Sequence, residues 1–264
     1  MRKTGILIAL LLVWGGIYFF VHDSMSALFE TGDVKTFTLR MDRDLLAKSN
    51  IPTEWHNSID NKCRAALYIP SFLQNTTAEK ILITYGAGGE NIASLNSYKT
   101  FSDQLGCVLV TPEHRRHDYD DRAHYYYTLR LIEYLKDREI VNSHPTIVLA
   151  GFSGGGKVAL AMAAYGGDLF DGVVAIGVND DIASMAYKWL PNENALDTPI
   201  VILNADDDRI VQLFTNHVIS SMNNTGFRKV SRLSYTGGHR IPSIKTRSTL
   251  QLLFSKNLSS ATDE

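Results

Sequence analysis

The chain has 264 residues, with 26 Lys or Arg against 28 Asp or Glu and a formal net charge of −2. Hydrophobic residues make up 45% and charged residues 20%, an ordinary globular composition that excludes a disordered chain. Near-neutrality argues against a nucleic-acid groove as the main surface, and 2 Cys cannot make a disulfide-rich scaffold.

The first 26 residues stand apart. Arg2 and Lys3 precede Ile6–Val21, an uncharged run broken only by Gly15 and Gly16. The run is longer than a typical secretory core and shorter than a typical membrane span. The expectation is a hydrophobic helix over 1–26 acting as signal anchor or signal peptide. Basic residues ahead of it keep the N-terminus in the cytoplasm. Residues 27–264 then form one exported domain, membrane-anchored if the segment is uncleaved and secreted or periplasmic if it is cleaved.

Lys35–Met41 and Arg64–Pro70 read as strands, separated by a polar stretch, 42–62, without a clear period. Ile81–Tyr85, Cys107–Thr111, Thr146–Ala150, Gly172–Ile176 and Pro199–Asn204 are continuous apolar runs, the pattern of parallel strands buried on both faces. A last strand is expected over 229–235. Between the strands, Tyr125, Leu129, Ile132 and Leu135 recur at helical spacing, as do Val211, Phe214, Val218 and Met222. Val158–Ala164, Ile182–Leu190 and 243–256 read as further helices. The alternation predicts an α/β fold with a mostly parallel sheet, whose sites lie at the carboxyl ends of strands.

The segment Gly151-Phe152-Ser153-Gly154-Gly155-Gly156-Lys157-Val158 follows a strand and opens a helix. It fits G-x-S-x-G through Gly151, Ser153 and Gly155, and nearly fits a phosphate-binding loop through Gly151, Gly156 and Lys157. The second reading needs a hydroxyl after the lysine to bind Mg²⁺, and Val158 has none. The first needs an acid and then a histidine after later strands. Asp206-Asp207-Asp208 and Gly237-Gly238-His239 stand at those places. Ser153 is then the nucleophile, His239 its base, and Gly154 N–H an oxyanion donor.

This ordered set resembles the α/β-hydrolase superfamily. The stretch from Gly151 to Gly177 is most similar to small esterases of the polyhydroxybutyrate depolymerase and feruloyl esterase-like group and of the dienelactone hydrolase-like group. The resemblance implies an α/β-hydrolase fold over about residues 62–256. The family pattern after the acid-bearing strand is often Gly-x-x-Asp-x-x-Val, and Asn204 replaces its glycine here. Counting from Asn204 points to Asp207, and matching Asp-Arg-Ile-Val points to Asp208. Asp208 is the expected acid, with Asp207 and then Asp206 as alternatives. The second oxyanion donor is expected on the loop after strand 81–85, at Ala87 or, failing that, Gly88. The superfamily topology also sets strand 64–70 antiparallel to 107–111, which puts Cys63 and Cys107 at opposite ends of the pair and argues against a disulfide.

No cofactor and no metal is expected. The stretch His114–His124 is rich in ligand types, but its arginines would repel a cation. Tyr125-Tyr126-Tyr127 favours packing over an aromatic platform, since consecutive helical residues diverge. The lid region between strands 172–176 and 199–204 is short, which implies an open site for a short acyl ester or an exposed polymer ester. Met185, Tyr187 and Trp189 either line it or pack in the core. The expected function is a serine carboxylic ester hydrolase. A peptidase or acyltransferase on the same triad and a non-catalytic binding protein are the alternatives.

Overall fold

The computed structural model describes residues 34–86, 91–113 and 121–255. Eight strands form one sheet: β1 (Val34–Arg40), β2 (Lys62–Tyr68), β3 (Ala78–Tyr85), β4 (Val108–Glu113), β5 (Val141–Phe152), β6 (Gly172–Ile176), β7 (Ile200–Ala205) and β8 (Val230–Tyr235). Their order is β1-β2-β4-β3-β5-β6-β7-β8. β2 runs antiparallel to β4, and every pair from β4–β3 through to β7–β8 is parallel. The continuous apolar runs are the reason. Ile81–Ile83, Val148–Ala150 and Ile200–Leu203 are buried throughout, which demands cover on both faces of the sheet.

The cover comes from α1 (Arg43–Lys48), α2 (Asn91–Leu95), α3 (Lys99–Leu105), α4 (Asp121–Asp137), α5 (Gly154–Gly166), α6 (Ile182–Trp189), α7 (Thr215–Thr225) and α8 (Ser243–Ser255). α5 is buried from Ala159 to Gly166. Its small residues let the chain pack closely at its end; a Cβ on Gly166 would lie 2.2 Å from Cε2 of Phe170, in the turn before β6. The short helix expected over 182–190 is α6, and the last expected helix is α8.

Three stretches depart from the sequence reading. The polar stretch 42–62 contains α1 and a 3₁₀ turn, Thr53–Ser58. Asp42 Oδ1 starts α1 by accepting from the N–H groups of Asp44 and Leu45, each at 3.0 Å, which is an N-cap. Residues 91–105 carry α2 and α3, where Ile92, Leu95, Tyr98, Phe101 and Leu105 recur every three or four residues although no helix is expected there. The helix expected from Val211 begins only at Thr215, because Asp208 Oδ1 takes the Ile210 N–H at 2.9 Å and holds the chain in a turn.

Tyr125, Tyr126 and Tyr127 are all buried. The Tyr126 hydroxyl donates to Asp42 C=O at 2.9 Å, and that of Tyr127 donates to Asp60 C=O. They tie the N-terminal layer to the sheet and form no platform. Cys63 and Cys107 are free and buried. The β2–β4 register pairs Arg64 with Glu113 and Tyr68 with Leu109, so the two thiols do lie at opposite ends of the pair. Burial pushes both thiol pKa values up to about 12. The hydrophobic segment at 1–26 lies outside the described residues. Among the described residues no helix is long and apolar enough to cross a membrane.

Candidate active site

β5 ends at Phe152, and Ser153 then takes φ 54° and ψ −119° before α5 begins. A side chain other than glycine rarely adopts such a backbone, so the turn must be imposed by its surroundings. Three glycines allow it. A Cβ on Gly151 would lie 2.1 Å from Gly155 O, one on Gly155 2.0 Å from Tyr85 O, and one on Gly156 2.6 Å from Val178 Cγ1. The Ser153 N–H donates to Ile176 O at 2.8 Å and ties the turn to the end of β6. Lys157 does not face the turn as a phosphate ligand; its Nζ pairs with Asp180 at 3.1 Å, in the loop after β6.

The three aspartates after β7 go three ways. Asp206 pairs with Arg232 at the surface, 2.6 Å away. Asp207 accepts from the backbone N–H groups of Gly237 and Gly238 at 2.9 Å, and those bonds hold its carboxyl below the usual carboxylate range. Asp208 is only 4% exposed, and its Oδ2 lies 2.6 Å from His239 Nδ1. With a carboxylate as acceptor, Nδ1 carries the proton and Nε2 is left as the basic nitrogen. Of the three candidates, Asp208 is the one that touches His239.

His239 sits on a turn that two side chains bracket. Asp207 holds the chain before it, and the Tyr235 hydroxyl donates to Gly238 O at 3.2 Å and Arg240 O at 2.5 Å. Gly237 and Gly238 supply the positive φ values, 129° and 70°. The imidazole packs against the Phe152 ring, with 4.7 Å between centroids. It also lies over Gly177, whose φ is +64° and whose added Cβ would be 2.9 Å from His239 Cε1. Phe152 immediately precedes Ser153, and Gly177 follows the residue that holds the Ser153 N–H. The imidazole therefore lies against both flanks of the elbow. Ser153 Oγ itself makes no hydrogen bond among the described residues, and in ligand-free sites such bonds are commonly long.

Gly154 is the first residue of α5, so its N–H has no intrahelical partner and stands at the positive end of the helix dipole. Ala87 and Gly88 lie outside the described residues, as do His114–Asp120. Met185 and Trp189 are exposed, at 46% and 69%, whereas Tyr187 packs edge-on against Phe227. Among the described residues no group of three or more His, Cys, Asp or Glu is placed to hold a metal ion. Phe152, Gly177 and Tyr235 complete the site without having been singled out by motif. Gly177 had a signal, since it ends an apolar strand beside the elbow strand.

No family model and no curated relative matches the chain. Solved structures do. A thermostable esterase superposes with a TM-score of 0.60 at 15% identity, over 84% of this chain and 63% of that one, so the chain spans less than two thirds of its length. An esterase of the archaeon Pyrobaculum calidifontis gives 0.57 at 15% identity, over 90% of each chain. The chain has the α/β-hydrolase fold. A ferulic acid esterase gives 0.55 at 17% identity, over 83% of this chain and 95% of its own. At such identities the likeness concerns the fold of the α/β-hydrolases, and the chemistry has to be argued from the side chains described above.

Proposed function

We propose that the domain is a serine hydrolase that cleaves carboxylic esters through an acyl-enzyme intermediate. The observation that carries this reading is the Asp208–His239 pair, 2.6 Å apart, packed against the strained turn that bears Ser153. The esterases among the structural neighbours support the same substrate class.

Ser153 attacks the ester carbonyl carbon, and His239 Nε2 takes the hydroxyl proton as the bond forms. The buried Asp208 carboxylate holds the tautomer and stabilises the imidazolium that results. The oxyanion of the tetrahedral intermediate is met by the Gly154 N–H and by a second donor, for which we propose Ala87. One such donor is typically worth about 3 kcal/mol of transition-state stabilisation. His239 then protonates the departing alcohol, and a water activated by the same nitrogen releases the acid. Export fits this reading, with Arg2 and Lys3 ahead of the run Ile6–Val21 as an anchor or a signal. The small α6 leaves the site open to a short acyl ester or an exposed polymer ester.

A fluorophosphonate probe tests the assignment. It labels the wild-type chain at Ser153, and the Ser153→Ala change abolishes labelling and ester hydrolysis together. Ester cleavage that persists in pure Ser153→Ala protein overturns the reading.

A further inference from the structure

Four of the large hydrophobic side chains exposed among the described residues stand on the two segments that leave the carboxyl ends of the paired strands β7 and β8. Ile210 is 59% exposed, Leu213 80%, Phe214 45% and Ile244 75%. All four lie within six residues of Asp208 or His239, on the two segments that leave the hydrogen-bonded pair. Apolar side chains held in water next to one another mark a surface that meets something.

The charge around them is one-sided. From Arg209 to Thr262 the sequence contains eight Lys or Arg and no Asp or Glu. Arg228 and Arg232 are spent on Asp197 and Asp206. Arg209, Arg240, Lys245 and Arg247 are exposed and make no ion pair among the described residues. They interleave with the apolar four. The nearest acids are already engaged: Asp208 is buried on His239, and Asp207 holds two backbone N–H groups. Cations alternating with apolar tips match an anionic interface that has a hydrocarbon interior. A soluble polyanion would leave the apolar four unused.

We propose that this rim seats the domain on an anionic lipid bilayer, with the mouth of the site turned to the membrane. Charge supports that occupant: from Arg209 to Thr262 no acidic residue repels an anionic surface. Docking is independent of the reaction; the claim that it presents an ester dissolved in the bilayer rests on the hydrolase reading.

The test places an environment-sensitive fluorophore at Leu213→Cys in the full chain, where Cys63 and Cys107 are buried and do not compete for the label. A second protein carries it at Lys229→Cys, at the other end of the sheet. Both are bound to vesicles of phosphatidylcholine alone or with phosphatidylglycerol. The expected result is a blue shift at position 213 on the anionic vesicles only, with position 229 remaining in water on both. Adding Arg240→Glu and Arg247→Glu to the Leu213→Cys protein lowers its partition about tenfold or more, with an unchanged thermal melt as the folding control. No shift at 213, an equal shift on both lipids, or a shift that survives the charge reversals overturns the proposal. Repeating the measurement on Ser153→Ala protein separates the two readings: a lost hydrolase reading leaves the docking result standing, and lost docking leaves soluble-ester hydrolysis standing.

Discussion

At the amino ends of β6, β7 and β8 there is a cleft of about 880 Å³, whose lining includes Asp168, Phe170, Asp197, Arg228 and Lys229. At the opposite end of the sheet, after β5, β7 and β8, stand Ser153, Asp208 and His239. The amino-end cleft is rich in charge, yet several of its polar groups are already engaged. Arg228 pairs with Asp197, and Asp171 accepts the Ile147 N–H at 2.8 Å. At the carboxyl end, one buried carboxylate is aimed at an imidazole, and a serine hydroxyl has no hydrogen-bond partner among the described residues. Volume locates the first site, and uncommitted chemistry locates the second. A parallel sheet puts loops that follow strands at one end, so groups from β5, β7 and β8 converge there and nowhere else.

The contrast can be broken by substitution. Asp208→Asn should lower kcat on a soluble ester by about 10³- to 10⁴-fold, since the amide favours the wrong imidazole tautomer. Asp206→Asn, one turn residue away and engaged at the surface, should leave kcat within a factor of about two. A large loss in Asp206→Asn, with none in Asp208→Asn, would reverse the assignment.

Next in size is a pair of glycine changes. Gly155→Ala drives a methyl into the Tyr85 carbonyl at 2.0 Å; backbone cannot yield, and we expect a loss above about 4 kcal/mol in chemical denaturation. Gly172→Ala, at the amino end, meets the flexible tip of Leu253 at 2.6 Å and should cost about 1–3 kcal/mol. Equal losses would mean that the elbow is no tighter than the rest of the sheet. The smallest effect belongs to Arg228→Ala. It opens the amino-end cleft and should leave fluorophosphonate labelling of Ser153 at the wild-type rate. A slowed rate would tie the cleft to the site.

Much of this was legible in the sequence. The parallel strands announced themselves because burial on both faces removes polar residues, so their apolar runs are unbroken. The elbow was legible because strain leaves a composition: Gly151, Gly155 and Gly156 are there for want of room. The identity of the acid was not settled by pattern. Three adjacent aspartates are equivalent in a string, and they separate only when β8 brings Gly237, Gly238 and His239 alongside. The N-cap at Asp42 was readable from Asp42, Leu45 and Leu46, but α1 is too short to show a period. The packing of Phe152 and Gly177 on the imidazole depends on strands 24 residues apart in sequence lying side by side, which no local signal carries.

Asn204 stands where the related pattern has a glycine. It is buried at the end of β7; its Oδ1 accepts from Val178 N–H at 2.9 Å, and its Nδ2 donates to Val178 O and to Thr215 Oγ1, each at 2.8 Å. A side chain thereby copies the two-way exchange of an antiparallel residue pair and adds one rung between β7 and the chain just past the end of β6. The rung joins the segment of Gly177, under the imidazole, to the start of α7, beyond the turn of Asp208. The floor of His239 and the support of its carboxylate are one mechanical part, hinged on a single amide.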